Sequence, residues 1–333
     1  MTNYAAEADI QTAGEKLQRL RAALNSVLFG QEPLVDTVVI GLLARGHLLL
    51  EGLPGLGKTE LVKGLAKALQ VQAKRIQFTP DLLPGDITGN PLLQEVNGTR
   101  QFVFQPGPIF ANLVLADEIN RASPKTQSAL LEAMQERRVT VMGETHALPD
   151  PFFVLATQNP IELEGTYPLP EAQLDRFLFK IEVRRNAVPV LERIIQQREI
   201  GVEPTVPAVL TRAEFQGCAD LVRRIFLPGV VTNYIARLVD ATQTMPGVKY
   251  GASPRAALGL AAAARARALL EGRLNASFED VQAVAAPVLQ HRLVLDYQAR
   301  LDGQTGTSVV ATLLEKIPTQ DRATPPALTT VKG

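Results

Sequence analysis

A glycine-rich stretch near residue 52 constrains the fold more than any other part of the sequence. It reads Gly52-Leu53-Pro54-Gly55-Leu56-Gly57-Lys58-Thr59 and matches the G-x-x-x-x-G-K-[ST] phosphate-loop pattern at each defined position. The apolar run Leu48-Leu49-Leu50 precedes it, and a helical pattern continues to about Leu69. This order of strand, loop and helix predicts an α/β fold that binds a nucleotide at the loop.

Each residue type in the loop has a chemical reason. Glycines let backbone N–H groups converge on phosphate oxygens, and the helix that follows adds its positive dipole end. Lys58 would reach the β- and γ-phosphates, and the Thr59 hydroxyl would bind Mg²⁺. The residues that we expect to bind nucleotide are Gly30, Gln31, Gly52, Pro54, Gly55, Leu56, Gly57, Lys58, Thr59 and Glu60. The alternative is a glycine-rich turn that binds nothing; otherwise the ligand is ATP or GTP with magnesium.

A second stretch places two acids at the end of a buried strand. Residues 112–118 read Asn-Leu-Val-Leu-Ala-Asp-Glu, and a continuous apolar run of this kind is typical of a central parallel strand. Open α/β sheets bind ligands at the carboxyl ends of such strands. We therefore expect Asp117 to hold the magnesium shell and Glu118 to polarise the water that attacks the γ-phosphate. Alternatively, the strand ends in acids that have no catalytic role.

A third strand, Phe152 to Ala156, delivers Asn159 to the same edge. The side-chain amide of Asn159 could hydrogen-bond the attacking water or the γ-phosphate. An asparagine before Pro160 could also serve only to form a turn.

Two arginines lie at positions where a phosphate group would be a natural binding partner. Arg176 ends a short helix before another strand, and it could pair with Asp175 or project toward the nucleotide of a neighbouring subunit. Arg255 follows Ser253-Pro254 in a first helical turn, where the helix dipole disfavours cations, so an anionic partner is expected nearby. The alternative for Arg255 is an exposed arginine without a ligand.

Composition bounds the remaining possibilities. A length of 333 residues suggests two domains, and the formal net charge of +0 creates no general attraction to nucleic acid or membranes. The single cysteine, Cys218, cannot form an internal disulfide, and His47, His146 and His291 form no metal-binding cluster. The amino terminus does not resemble a secretory signal, and no apolar run has transmembrane length. We therefore expect a soluble, cytoplasmic protein with no direct membrane insertion.

The pattern along the chain predicts the domain layout. Alternating residues around the Asn97-Gly98 and Gly143-Glu144 turns predict two β-hairpins inserted into the α/β region. Strand signals end near residue 186, and helical spacing follows. We expect a nucleotide-binding α/β domain over residues 1–186, a small all-helical lid over residues 187–316 and a disordered tail over residues 317–333.

Together these stretches resemble the MoxR family of AAA+ ATPases. The resemblance is carried by the phosphate loop, Leu115-Ala-Asp-Glu-Ile-Asn-Arg121, Ala156-Thr-Gln-Asn-Pro160, Leu169-Pro-Glu-Ala-Gln-Leu-Asp-Arg-Phe177 and Ser253-Pro-Arg255. It runs from about Val27 to Leu314. By that resemblance Lys58 and Thr59 belong to Walker A, Asp117 and Glu118 to Walker B, Asn159 to sensor 1, Arg176 to the arginine finger and Arg255 to sensor 2.

The resemblance also implies an assembly and a biological role. Members form rings, usually hexamers, with ATP and Mg²⁺ at subunit junctions. They resemble chaperones that act with a von Willebrand factor A domain protein to mature a client complex or insert its metal. Sensor 2 in this clade can face either its own nucleotide or that of the neighbour, so the site in which Arg255 acts is left open.

Two other functions are compatible with the phosphate loop. DNA helicases of the same clade carry both hairpins, but nucleic-acid motors usually need basic groups to follow phosphates. Here the first hairpin offers Glu95 and Arg100. The second has Arg137 and Arg138 at its base but Gly143-Glu144 at its tip, and the chain is neutral overall, so we expect no nucleic-acid partner. A small-molecule kinase would leave Arg176, Arg255 and the lid without a shared purpose.

Overall fold

The structure is a computed structural model that describes residues 4–52, 57–96, 99–159, 165–183, 185–199 and 201–319. Most of the predicted tail, from residue 320 onward, lies outside the described residues, as do Pro54, Gly55 and Leu56 of the phosphate loop. Within the described ranges, no helix is both long and apolar enough to cross a membrane.

The secondary structure follows the predicted alternation of strands and helices. The strands are β1 (Leu48–Glu51), β2 (Ala73–Gln77), β3 (Gly89–Val96), β4 (Thr99–Pro106), β5 (Leu113–Asp117), β6 (Arg138–Val141), β7 (Glu144–Ala147), β8 (Phe153–Gln158), β9 (Phe179–Glu182), β10 (Val248–Tyr250) and β11 (Val294–Leu295). The helices are α1 (Glu7–Asn25), α2 (Glu32–Leu43), α3 (Lys58–Ala68), α4 (Pro84–Thr88), α5 (Pro124–Glu136), α6 (Glu171–Leu174), α7 (Val188–Gln197), α8 (Arg212–Val222), α9 (Gly229–Ala241), α10 (Pro254–Leu270), α11 (Phe278–Leu289), α12 (Tyr297–Leu301) and α13 (Gly306–Lys316).

A five-stranded parallel sheet forms the centre, with strand order β2-β5-β8-β1-β9. Its alternating side chains feed two cores, because successive residues of a strand point to opposite faces. Leu48 and Leu50 of β1 belong to the core beneath α1, α2 and α3, whereas Leu49 belongs to the core that includes α5. Both faces are therefore covered, as the apolar strand sequences predict, and the carboxyl ends of the strands remain open to a ligand.

The two predicted hairpins are present. Strands β3 and β4 pair antiparallel, as do β6 and β7. The strands of the first hairpin, β3 and β4, extend beyond the alternating residues from which the hairpin was predicted. Helix α4 precedes this hairpin, and the proline- and glycine-rich sequence does not predict it. Phe104 of the first hairpin stacks on His146 of the second, with ring centroids 4.1 Å apart, so the two insertions pack together.

The carboxyl-terminal region is predominantly helical, as predicted, and it differs in one detail. Strands β10 and β11 form a small antiparallel sheet within it. These strands are three and two residues long, too short to produce a periodic pattern that a sequence reading could detect. Capping boxes at Thr211 and Ser277 start α8 and α11.

His47 lies in the core at the start of β1. The Val154 N–H donates to its Nδ1 at 3.0 Å, so Nε2 carries the proton and donates to the Met134 carbonyl at 3.1 Å. Both ring nitrogens are satisfied only in the neutral imidazole. Burial lowers the pKa of His47 from 6.5 to about 4 because the charged form loses its hydration.

Acidification should therefore destabilise the fold through His47. The unfolded chain binds the proton first, so this contribution is complete above pH 6.5 and is lost as the pH falls from 6.5 to about 4. A pKa difference of about 2.5 pH units corresponds to ~3 kcal/mol of unfolding free energy at ~1.4 kcal/mol per unit. Urea unfolding of the wild type and His47→Phe across this range should show a shallower pH dependence for the variant. Equal slopes would contradict this assignment.

Candidate functional site

Lys58 begins α3 directly beyond the phosphate loop and points back toward β1. Its Nζ donates to the Gly52 carbonyl at 2.8 Å, and Gly57 precedes it with a φ of +81°, a conformation that glycine adopts without strain. Burial lowers the pKa of Lys58, while the nearby charges of Asp117 and Glu118 act in the opposite direction. A partly desolvated ammonium held at a loop in this way is suited to bind phosphate.

The two acids occupy the carboxyl end of β5 as the sequence predicts. Asp117 accepts a hydrogen bond from Thr157 Oγ1 at 2.6 Å, and the Glu118 N–H donates to the same hydroxyl at 2.8 Å. Glu118 has a φ of +58°, which is uncommon for a residue with a side chain and is often associated with functional sites. Thr157 on β8 thus fixes the backbone that presents both carboxylates.

Cations and an amide from the same edge hold these carboxylates. Arg75 of β2 donates to Asp117 Oδ2 at 2.6 and 3.1 Å. Gln77 and Arg121 each donate to Glu118 Oε2 at 3.0 Å. The positive charges of Arg75 and Arg121 therefore offset the negative charges of Asp117 and Glu118 within the protein itself.

One cavity of about 260 Å³ brings together the predicted catalytic residues Glu118 and Asn159 with several of the predicted nucleotide- and magnesium-binding residues, but it contains neither Arg176 nor Arg255. Its walls include Gly52, Gly57, Lys58, Thr59, Glu60, Arg75, Asp117, Glu118, Thr157, Gln158 and Asn159. Residues far apart in the chain meet here because β1, β5 and β8 are adjacent and parallel. The cavity can hold an anionic ligand between Lys58 and the carboxylates.

A second cavity of about 370 Å³ continues from the first through Gly57 and Glu60. Its lining includes Val27, Leu28, Phe29 and Gln31 from the α1–α2 turn and Ile194 and Arg198 from the α7 region. Gln31 donates to Asn186 at 2.8 Å, and Val190 packs so closely over Gly30 that a Cβ there would lie 2.6 Å from it. Gln31 thus lines a partly apolar cavity suited to a nucleotide base, whereas Gly30 packs against Val190 and is not part of the cavity lining.

The two residues that the sequence predicts as magnesium ligands, Thr59 and Asp117, both offer oxygen atoms to the cavity. Thr59 supplies a hydroxyl and Asp117 a carboxylate at one cavity, and oxygen ligands of this kind suit Mg²⁺. The guanidinium of Arg75 already places a positive charge against Asp117. Mg²⁺ would supply further positive charge to phosphate oxygens when bound.

Arg176 and Arg255 lie at the opposite end of the parallel strands from the cavity, near the amino end of β9. We call this end of the sheet its amino edge. Leu48 of β1 pairs with Phe179 of β9, and the Leu178 N–H donates to the His47 carbonyl, so Arg176 precedes the amino end of β9. The phosphate loop follows the carboxyl end of β1. Four residues of strand, or ~13 Å, separate the two levels, which is longer than an arginine side chain. The structure does not bring Arg176 to the cavity of its own chain.

Arg255 belongs to the same edge as Arg176. Its guanidinium contacts Asp175 Oδ2 at 3.3 Å, and buried Arg292 donates to Asp175 Oδ1 at 2.7 Å. Asp175 is therefore the anion beside Arg255 within one chain. Among the described residues, Arg176 itself has no ion pair, and pairing with Asp175 does not account for it.

Comparison with known proteins agrees with this architecture. The family model described as "ATPase family associated with various cellular activities (AAA)" matches residues 47–179, and the AAA lid domain model matches residues 240–313. A crystal structure from Cytophaga hutchinsonii, described as a candidate ATPase, superposes with a TM-score of 0.87 at 37% identity, covering 94% of this chain and 97% of that one. These matches place the chain in the class of AAA+ ATPases.

Relatives define the family more narrowly. The chain is 44% identical over 306 residues to the uncharacterized protein YeaC of Bacillus subtilis, covering 90% of this chain and 94% of that protein. It is 43% identical over 329 residues to chaperone MoxR1 of Mycobacterium tuberculosis, covering 94% of this chain and 86% of that protein. The Paracoccus denitrificans protein MoxR is 32% identical over 300 residues, covering 82% of this chain and 87% of that protein. The chain belongs to the MoxR family of AAA+ ATPases.

Sequence reasoning missed two residues that shape the site and the role of a third. Thr157 directly follows the predicted strand Phe152 to Ala156, so its place at this edge follows from the sequence, but its hydrogen bonds to Asp117 and Glu118 do not. Arg75 and Gln77 lie two residues apart on β2 and therefore share a face of that strand. What the sequence did not reveal is that β2 pairs with β5 in a register that sets Gln77 opposite Asp117.

Removing Arg75 should make Asp117 more available to a metal ion. The Arg75 side chain is about half exposed, so its ion pair with Asp117 contributes at most ~1 kcal/mol. Arg75→Ala should therefore reach half-maximal binding of a fluorescent ATP analogue at an Mg²⁺ concentration up to about fivefold lower than the wild type requires. Lys74→Ala, an exposed cation at the neighbouring position, is the matched control. A higher Mg²⁺ requirement for Arg75→Ala would contradict competition and indicate that Arg75 supports ligand binding.

Proposed function

We propose that this protein is a ring-forming ATPase that remodels a client protein or matures a metalloenzyme complex, acting with a von Willebrand factor A domain protein in the cytoplasm. The observation that carries the proposal is that the predicted phosphate-site and catalytic residues divide between the two ends of the parallel strands of one sheet. Lys58, Glu118 and Asn159 line one cavity, whereas Arg176 and Arg255 lie at the opposite edge. Two copies are needed to bring both sets to one ATP.

The proposed roles follow from the side-chain chemistry. Lys58 and the loop amides bind the phosphates, with Thr59 and Asp117 holding Mg²⁺. Glu118 polarises the attacking water and Asn159 positions it. Arg176 of one copy enters the site of the next and stabilises the charge that develops in the transition state. Because Arg255 shares the position of Arg176, we assign it to the neighbour's nucleotide as well.

A protein client suits the first hairpin better than a nucleic acid does. Leu93 and Phe102 form a directly opposed cross-strand pair, and they are 57% and 62% exposed. Two positions further along the strands, on the same face of the hairpin, Glu95 is paired with Arg100, and their charges cancel. A surface of apolar side chains and paired charges offers no net positive charge to bind the phosphates of a nucleic acid. It can instead bind an apolar segment of a protein. The name of the relative MoxR1 as a chaperone supports the same choice.

Complementation between two inactive variants tests the composite site. Arg176→Ala retains an intact phosphate site, and Glu118→Gln retains the finger, so each protein alone should lose most ATPase activity. Mixed in equal amounts, they should recover about a quarter of the wild-type rate, because that share of junctions in a random head-to-tail ring joins the two intact halves.

The control is a mixture of Glu118→Gln with Asn159→Ala, which damage the same half of the site and should not complement each other. Failure of the first mixture to exceed its separate components, with ring formation verified by light scattering, would contradict a site shared between copies.

A further inference from the structure

The side chain of Arg292 is buried at the amino edge of the sheet, although it belongs to the lid. It ends a short 3-10 turn, Gln290–Arg292, that follows α11, and only 8% of the residue is exposed. The same turn reaches β9, the edge strand of the sheet, because Gln290 Nε2 donates to the Lys180 carbonyl. A guanidinium keeps its charge at any pH that a protein meets, so it is rarely buried without partners for its N–H groups.

All five N–H donors of the Arg292 guanidinium have a partner. Nε donates to Asp175 Oδ1 at 2.7 Å, and Nη2 donates to the Phe177 carbonyl at 2.7 Å and to the Asp175 carbonyl at 3.3 Å. Nη1 donates to the Leu178 carbonyl at 3.1 Å and to a carbonyl of its own helix, α11. Four of the five acceptors therefore lie on the residues that flank Arg176 on both sides.

Asp175 connects the same segment to a second part of the lid. Its other carboxylate oxygen, Oδ2, contacts Arg255 Nη1 at 3.3 Å and accepts a hydrogen bond from Ser253 Oγ at 3.4 Å. Both of these partners lie at the start of α10. The lid thus holds the segment before β9 from the start of α10 and from the turn after α11.

These contacts fix the backbone around Arg176 and leave its side chain out of the cluster. Arg176 is only partly buried, and among the described residues it forms no ion pair. The hydrogen bonds from Arg292 set where the Arg176 Cα lies and in which direction its side chain leaves the backbone. A shift of the lid against the sheet must either break these buried, charged hydrogen bonds, which is costly, or carry the segment with it.

A lysine at position 292 would keep the charge but not this connection. An ammonium has three N–H donors at one point, whereas the guanidinium presents five in a planar fork. Arg292→Lys can keep an ion pair with Asp175, but at least two of the five acceptors lose their partner. The variant therefore separates the fixed backbone around Arg176 from the charge that the cluster contains.

We propose that Arg292 is a positioning residue for Arg176: it fixes the backbone on both sides of Arg176, so that the lid of one copy sets how this arginine enters the phosphate site of the next copy. The inference rests on the proposed composite site. It adds the part of the chain that controls the arginine, and it makes the position of each lid a determinant of hydrolysis in the neighbouring site.

Complementing mixtures test this inference because they separate the two halves of the site. In the mixture of Arg176→Ala with Glu118→Gln, the active junction joins the phosphate site of the first chain to Arg176 of the second. Adding Arg292→Lys to the Glu118→Gln chain should lower the ATPase rate of the mixture at least tenfold, because a displacement of ~1 Å can cost ~100-fold in rate. Adding it to the Arg176→Ala chain, whose own finger is already absent, should leave the rate within about twofold.

Steady-state kinetics of the single variant give a second readout. Arg292→Lys alone should lower kcat at least tenfold and change KM for ATP by less than about threefold, because its own phosphate site lies at the opposite end of the strands. The matched control is Arg273→Lys, another lid arginine, which pairs with the buried Asp280 at the start of α11. This control should keep kcat close to that of the wild type.

Equal losses from both placements of Arg292→Lys would show that the residue only stabilises the fold. Unchanged rates from both, or a loss confined to the Arg176→Ala chain, would show that it does not position the finger; each of these results overturns the inference. If thermal melting shows that Arg292→Lys does not fold, Asp175→Asn, which keeps the shape of the residue and removes its charge, replaces it in both mixtures. If the parent mixture shows no recovery although both chains form rings, the proposed function fails together with the inference, whereas recovery with equal placements removes only the role of Arg292.

Discussion

Parallel pairing of neighbouring strands is the constraint on which the site depends. Strands β1, β5 and β8 align so that the phosphate loop, the two acids and Asn159 emerge at one level. The same alignment sends the residues before β9 to the opposite level. In the function that we propose, one chain therefore supplies the phosphate loop, the two acids and Asn159, a second copy supplies Arg176, and association of copies is part of the chemistry.

Local electrostatics position the charged side chains at both ends of the parallel strands. Thr157 hydrogen-bonds both the Asp117 carboxylate and the Glu118 N–H, so the two acids are set by one hydroxyl. Arg75 neutralises Asp117, and partly desolvated Lys58 is close enough for the charges of Asp117 and Glu118 to affect its pKa. At the amino end of β9, Asp175 pairs with Arg255 and Arg292, and Arg176 lies outside that cluster. Each arrangement fixes the position of a charged side chain through its neighbours.

Much of this architecture could be predicted because its signals are local. The phosphate-loop pattern between strand and helix, the acids ending an apolar run and the hairpin turns each depend on a few consecutive residues. The role of Arg75 could not be predicted, since it depends on which strand lies beside β5. Strands β10 and β11 were too short to leave a pattern, and the position of Arg292 beside Asp175 arises from packing between distant segments.

We propose that the catalytic arginine comes from another copy of the chain. A structure of the assembled protein with a non-hydrolysable ATP analogue measures this directly, through the distance from each γ-phosphate to the nearest Arg176 guanidinium. We expect hydrogen-bond contact at ~3 Å with Arg176 of the adjacent copy, while the chain's own Arg176 stays at the other end of the strands. Contact between the γ-phosphate and Arg176 of the same chain would contradict it.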